Sequence, residues 1–365
     1  MDEPEAPAPQ SLSIEDNPPS ATHPLRIVIT GGSGQVGQML ARFFQERGHH
    51  VTVLTRGPYT ASWHTVHWDG AHPGPWTETL KGADVCINLT GRSINCRHTL
   101  AHRREIYQSR IGSTRLLHEV IAELTDPPRL WMNASAATIY QPAVDEFRVD
   151  LPLDETSGPL GGPDLSAPPD FFAAAGQVTA SGDEPWARRR GFMKRVVRDW
   201  EAAFFATETP RTRKVALRSA ATFSPTPGNV FAVLLNLVRL SLGGTQGNGR
   251  QFVSWVHEAD YARAVEFLIG REDLDGPFNI AAPNPLPNRE FMAALREAAN
   301  MPNGLPAPAL AIRFGALLMR TEADLVLDSC RAVPGRLLDA GFEFQFPEWS
   351  EAAEDLAQQW RRRNN

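Results

Sequence analysis

From Arg26 onward the chain alternates short apolar runs with longer stretches in which apolar residues recur every three or four positions. Arg26 to Thr30 is a β-branched run that reads as a buried strand. After Gly31-Gly32-Ser33-Gly34-Gln35-Val36-Gly37, the residues Val36, Met39, Leu40, Phe43 and Phe44 form one apolar face of a helix. Gly48 is placed to end that helix as its C′ residue, and Val51 to Leu54 reads as the next strand. The unit is a βαβ with a right-handed crossover. The rhythm continues with a strand at Asp84 to Leu89, a long helix at Leu100 to Glu123 and a strand at Arg129 to Asn133. Further strands are expected near Val215 and Phe278, and helices at Phe231–Leu242, Ala259–Ile269 and Arg289–Ala299. This order predicts an α/β fold, a doubly wound parallel sheet with helices on both faces.

Two segments stand outside the rhythm. The first 24 residues hold six prolines and five acids, with no Lys, Arg or apolar core, which predicts a disordered acidic tail rather than a secretory signal. Residues 142–185 carry seven prolines and Gly161-Gly162, which predicts a long loop-like insertion with a covering role. The 365 residues are 42% hydrophobic, enough for a sizeable core. A net charge of −6 argues against a general affinity for nucleic acid. The longest uncharged run, Ser219 to Val238, is broken by Pro225, Pro227 and Gly228, so no membrane span is expected. Three cysteines without C-x-x-C spacing suit a reducing, cytoplasmic setting.

The glycine loop carries the chemistry. Thr30-Gly31-x-x-Gly34-x-x-Gly37 follows a strand and opens an amphipathic helix, the context that a dinucleotide-binding loop requires. The glycines permit the tight turn, close approach to a pyrophosphate and close helix–strand packing, while the helix N-terminus offers free N–H groups. Gly31, Gly32, Ser33, Gly34, Gln35, Val36 and Gly37 are therefore the expected cofactor loop. At the end of the second strand, where an acid would favour NAD, stands Thr55-Arg56, and no acid lies between Glu46 and Asp69. A guanidinium there can pair with a 2′-phosphate, so NADP(H) is the expected cofactor.

This loop, together with Asn88-Leu89-Thr90-Gly91, Ser109-Arg110 through Thr114, and Ala134-Ser135-Ala136-Ala137-Thr138-Ile139-Tyr140, resembles an extended short-chain dehydrogenase/reductase. More narrowly it resembles the atypical, epimerase-like subfamily labelled NAD-dependent epimerase/dehydratase. Gly249 to His257, Gly276 to Pro283, and the tail from about Leu305 with Ala340-Gly341-Phe342-Glu343-Phe344 are similar to that subfamily and to its small C-terminal domain of unknown function. The resemblance implies a Rossmann domain over 25–245, an interleaved Rossmann and substrate-lobe segment over 246–300, and a small helical domain over 301–365. It also implies Asn88, Leu89, Gly91 and Arg92 as further cofactor contacts.

The wider superfamily handles protons with a Tyr-x-x-x-Lys pair, and none of Tyr59, Tyr107, Tyr140 and Tyr261 has a lysine four residues later. The resemblance places Met193 and Val197 where that pair would stand, Ala136 at the catalytic Ser/Thr position and Arg110 at the asparagine position. Ser135, Thr138 and Tyr140, at the end of a strand, are the replacement candidates for catalysis. Basic residues crowd two stretches, Arg92, Arg97, Arg103, Arg104 and Arg110, then Arg188, Arg189, Arg190, Lys194, Arg195 and Arg198. Those that face the cleft would favour a small, anionic substrate. His98 and His102 lack the intervening glutamate of a zinc-binding helix, so no metal is expected. Two functions remain open: an NADP(H)-dependent oxidoreductase or epimerase, and a non-catalytic NADP(H)-binding sensor or scaffold.

Overall fold

The protein is described by a computed structural model over residues 23–57, 60–140, 152–156, 158, 191–206, 208–318 and 322–364. Residues 1–22 of the expected tail and most of the 142–185 insertion lie outside the described residues.

Seven parallel strands make the central sheet: β1 (Arg26–Thr30), β2 (His50–Thr55), β3 (His64–His67), β4 (Val85–Asn88), β5 (Leu130–Ala136), β6 (Arg213–Ser219) and β10 (Gly276–Ile280). Their order across the sheet is β10-β6-β5-β4-β1-β2-β3. The strands are apolar on both faces because both faces are covered, as a parallel sheet requires. Ile27 and Ile29 point into one core and Val28 into the other. The first core holds α1 (Gln35–Glu46) and α5 (Glu258–Gly270), through Leu40, Phe44, Tyr261, Val265 and Leu268. The second holds α2 (Leu100–Glu123) and the end of α3 (Phe192–Phe205), through Leu117, Ile121 and Phe204. The doubly wound α/β fold expected from the periodicity is the one observed.

Local details follow the sequence closely where the signal is local. The long helix has the expected bounds, and the Thr99 hydroxyl caps it by accepting from the His102 N–H at 3.2 Å. Gly48, with φ of 81°, ends α1 as its C′ residue, and His49 N–H reaches back to the Phe44 carbonyl. β3 is a difference from the expected pattern: His-Thr-Val-His offers one aliphatic residue, yet it adds to the edge of the sheet by pairing with β2. β5 runs three residues past its expected end because Ala134, Ser135 and Ala136 pair with β6.

A second lobe sits at the C-terminal edge of the sheet. It combines β7 (Ala221–Phe223) paired to β9 (Trp255–His257), β8 (Phe252–Val253) paired to β11 (Leu286–Pro287), and the helices α4 (Val230–Arg239), α6 (Asn288–Ala298) and α10 (Trp349–Asn364). Its core gathers Phe223, Phe231, Trp255, Phe291 and Trp349. Between them lie α7 (Ala309–Leu318), α8 (Asp324–Leu327) and α9 (Gly335–Asp339); Leu337 of α9 and Phe342 join the α1-side core. Among the described residues, no helix is long and apolar enough to cross a membrane.

Candidate functional site

The strand order reverses between β1 and β4, and at such a switch point the connections leave in opposite directions and open a crevice at the strands' C-terminal ends. The glycine loop fills one side of it. Gly31 has φ of 69°, and a Cβ on it would lie 2.8 Å from the Leu89 carbonyl oxygen. A Cβ on Gly37 would lie 2.4 Å from Gly32 Cα, so only glycine lets α1 start this close to the strand. Gly34 is the N-cap of α1, makes no side-chain cap, and is followed by a first turn without acids. The leading N–H groups of α1 and its positive dipole end therefore face the crevice uncompensated, in a cradle suited to a pyrophosphate. Ser33 and Val36 flank it, and Ser33 is exposed with its carbonyl held by Gln38 at 2.7 Å. The Gln35 side chain accepts a 3.3 Å hydrogen bond from Asn229, which caps α4, so the loop is tied to the second lobe. Beyond that tie opens a cleft of about 260 Å³ between α1 and the second lobe, bordered by Met39, Thr222, Thr226 and Glu258.

Asn88, Leu89, Gly91 and Arg92 form the facing wall. The Asn88 side chain is wholly buried: it accepts from Thr30 Oγ1 at 2.7 Å and from the Thr90 N–H at 3.1 Å, and donates to Thr114 and Asn133. It shapes the turn from inside, and Leu89 presents backbone to Gly31. Arg110 lies against Gly91, where a Cβ would meet its Cζ at 3.0 Å, and donates to the Arg92 and Ile106 carbonyls. Burial pulls its pKa down. The Arg92 guanidinium is engaged by Glu105, so a phosphate would have to share it. At the end of β2, Arg56 is exposed and makes no hydrogen bond or ion pair among the described residues. The glycine cradle fits the pyrophosphate of a nicotinamide dinucleotide. The His98 and His102 rings each meet a backbone carbonyl, those of Ile94 and Arg97.

Two of the three candidate hydroxyls, Ser135 and Tyr140, are buried. Ser135 and Tyr140 belong to a buried clamp that crosses β5, α3, β6 and β10. Glu201 accepts from Ser135 Oγ at 2.5 Å and from Arg218 Nε and Nη2 at 2.9 and 2.8 Å. Arg218 Nη1 donates to the Tyr140 hydroxyl at 3.0 Å, and that hydroxyl donates to Asn279 Oδ1 at 2.8 Å. Tyr140 is 2% exposed, and burial pushes its phenol up to about 12 despite the nearby Arg218 charge. A phenol so placed is a poor acid or base near neutral pH. Asn279 in turn binds the Leu153 and Val333 carbonyls, and Glu155 accepts from the Asn279 and Arg336 N–H groups. The described part of the proline-rich segment is thus held to the sheet. Of the three candidates, Thr138, on a single turn at Ala137–Ile139, is the exposed one. Sequence reading missed Arg218, Glu201 and Asn279, whose partnership has no local signature.

Residues 27–164 match the family model described as the NAD dependent epimerase/dehydratase family, and residues 307–356 match a domain of unknown function. An epimerase family protein of Staphylococcus saprophyticus is 30% identical over 90% of this chain and 98% of its own length. One from Staphylococcus epidermidis is 29% identical over 91% and 98%. Among solved structures, human epimerase family protein SDR39U1 (isoform 2) with NADPH is 26% identical, covers 91% of this chain and 99% of its own, and superposes with a TM-score of 0.73. The nucleoside-diphosphate sugar epimerase from Corynebacterium glutamicum is 25% identical over 92% of this chain and 59% of its own, with a TM-score of 0.65.

Proposed function

The chain belongs to the NAD dependent epimerase/dehydratase family, and from that premise we propose that it is an NADP(H)-binding, epimerase-like oxidoreductase acting on a small, anionic substrate without a Tyr-x-x-x-Lys pair. The observation that carries the cofactor preference is Arg56. It stands at the end of the second strand, where an acid would select NAD, with no hydrogen bond or ion pair among the described residues, and the sequence has no acid between Glu46 and Asp69. NADPH in the similar human structure supports the same choice. When bound, the cofactor supplies a hydride; the chain's own residues do the rest.

The glycine cradle and the first turn of α1 hold the pyrophosphate, Arg56 pairs with the 2′-phosphate, and the turn from Asn88 to Gly91 orients the rest of the dinucleotide. Arg97, Arg103 and Arg104, on the loop and first turn of α2 that follow β4, would favour an anionic substrate where they face the crevice. Thr138 offers a hydroxyl to that substrate.

Calorimetry with NADPH and NADH on the wild type and Arg56→Ala tests the reading. A hydrogen bond between charged groups contributes about 1.5–3 kcal/mol, so the variant should bind NADPH roughly ten- to a hundredfold more weakly with NADH little changed. Binding of neither dinucleotide by folded wild type overturns the cofactor assignment. NADPH binding without NADPH oxidation across carbonyl and nucleotide-sugar compounds would favour the sensor.

A further inference from the structure

We propose that Lys194 is the group that gives a proton to, or takes one from, the substrate oxygen during hydride transfer, a proposal that rests on the oxidoreductase reading above. The chain holds three lysines, Lys81, Lys194 and Lys214, among 36 basic residues, so nearly every cation in it is an arginine that cannot release its proton. Lys81 is exposed, and Lys214 is anchored at the start of β6 by a 3.0 Å hydrogen bond to the Phe204 carbonyl, at the end of the sheet away from the crevice. Lys194 is carried by α3, which packs beside the C-terminal end of β5 through Val197.

Its place follows from helix geometry. On α3, Lys194, Val197 and Glu201 are spaced i, i+3 and i+7 and share one stripe. Val197 packs with Ala137 and Tyr140 at the end of β5, and Glu201 holds Ser135 and Arg218. Lys194 therefore lies one turn further out along the same stripe, at the C-terminal edge of β5 where ligands of open α/β sheets bind. The tail closes over this point: Cys330 Sγ reaches the Ala137 carbonyl at 3.5 Å, and Cys330 N–H bonds the Phe252 carbonyl. Lys194 is half-buried yet makes no hydrogen bond or ion pair among the described residues. The charged or titratable groups that act on it from the tail are Asp328 and Cys330, and Arg195 and Arg198 are its neighbours on α3. Burial lowers its pKa, against the raising influence of Asp328 and Cys330. That moves an ammonium toward the range of a working acid, while burial moves the Tyr140 phenol away from it.

The step balances simply. In the reducing direction the carbonyl carbon receives the hydride that NADPH supplies, the C=O π pair moves onto oxygen, and that oxygen takes a proton from Lys194 Nζ. The neutral amine regains a proton from water, leaving an alcohol and NADP⁺.

The test begins without turnover. Reductive methylation with isotope-labelled formaldehyde gives three lysine side-chain resonances, assigned with Lys194→Arg and read by carbon NMR across pH. The Lys194 resonance should titrate below the ordinary lysine range, as burial lowers it, and should shift when NADPH is added. In the second arm, Lys194→Arg keeps the charge but cannot release the proton. Its reduction of a phenanthrenequinone probe should fall roughly a hundredfold with NADPH affinity unchanged. NADPH binding combined with a Lys194 that titrates in the ordinary lysine range and ignores the cofactor overturns this proposal alone. So does a Lys194→Arg enzyme as fast as the wild type. Absence of NADPH binding overturns the cofactor reading, and this proposal with it.

Discussion

Replacing Glu201 with alanine is expected to cost about 3–5 kcal/mol of folding stability, the usual penalty for removing one partner of a buried ion pair. The side chains of Arg218 and Glu201 are 6% and 10% exposed, so water cannot replace what is lost. The alanine would strand the Arg218 guanidinium, which keeps only the Tyr140 hydroxyl, and would take the acceptor from the Ser135 hydroxyl. Burial by itself would lower the Arg218 pKa; the Glu201 hydrogen bonds more than reverse that, a sign that the cation depends on its partner. Denaturant unfolding should show the midpoint falling with little change in slope. Paired replacement of Glu201 and Arg218 by methionine should cost less than Glu201→Ala, because no buried charge is left unpaired. A Glu201→Ala loss under about 1 kcal/mol would mean that the clamp is solvated and not structural.

That clamp marks the boundary of what a sequence of this kind reveals. The glycine loop was legible because all of its requirements fall within a dozen residues: a β-branched run, three spaced glycines and an amphipathic helix. The same locality made Gly48 and the long helix from Leu100 readable. The edge strand at His64–His67 was not, because its pairing comes from the register with β2 and not from its own apolar content. Ser135 and Tyr140 look like catalytic hydroxyls from the sequence, standing in the right motif at the end of a strand. Their partners lie 66, 78 and 139 residues away, a separation that no local spacing announces. Conversely, Lys194 has no motif around it, and its interest comes from the tail that folds back across α3 from residues 328 to 330.

Trp349→Ala is the other substitution expected to act strongly, costing about 3–5 kcal/mol as large-to-small changes of a buried aromatic do. Trp349 is 1% exposed and stacks on Phe291 with ring centroids 4.1 Å apart, and its indole N–H donates to the Phe291 carbonyl at 2.9 Å. Phe223, Phe231 and Trp255 complete the cluster, so one residue of the last helix fills the core of the lobe that borders the crevice. The glycine cradle and Arg56 lie outside that cluster. The variant should therefore bind NADPH within about threefold of the wild type at low temperature while losing turnover, because the wall opposite the cofactor has lost its filling. Tryptophan fluorescence and calorimetric titration on the same samples separate the two effects. Parallel loss of NADPH binding would show that the cradle depends on the lobe through the Gln35–Asn229 bond. A loss of stability under about 1 kcal/mol would show that the last helix only covers the lobe and does not fill it.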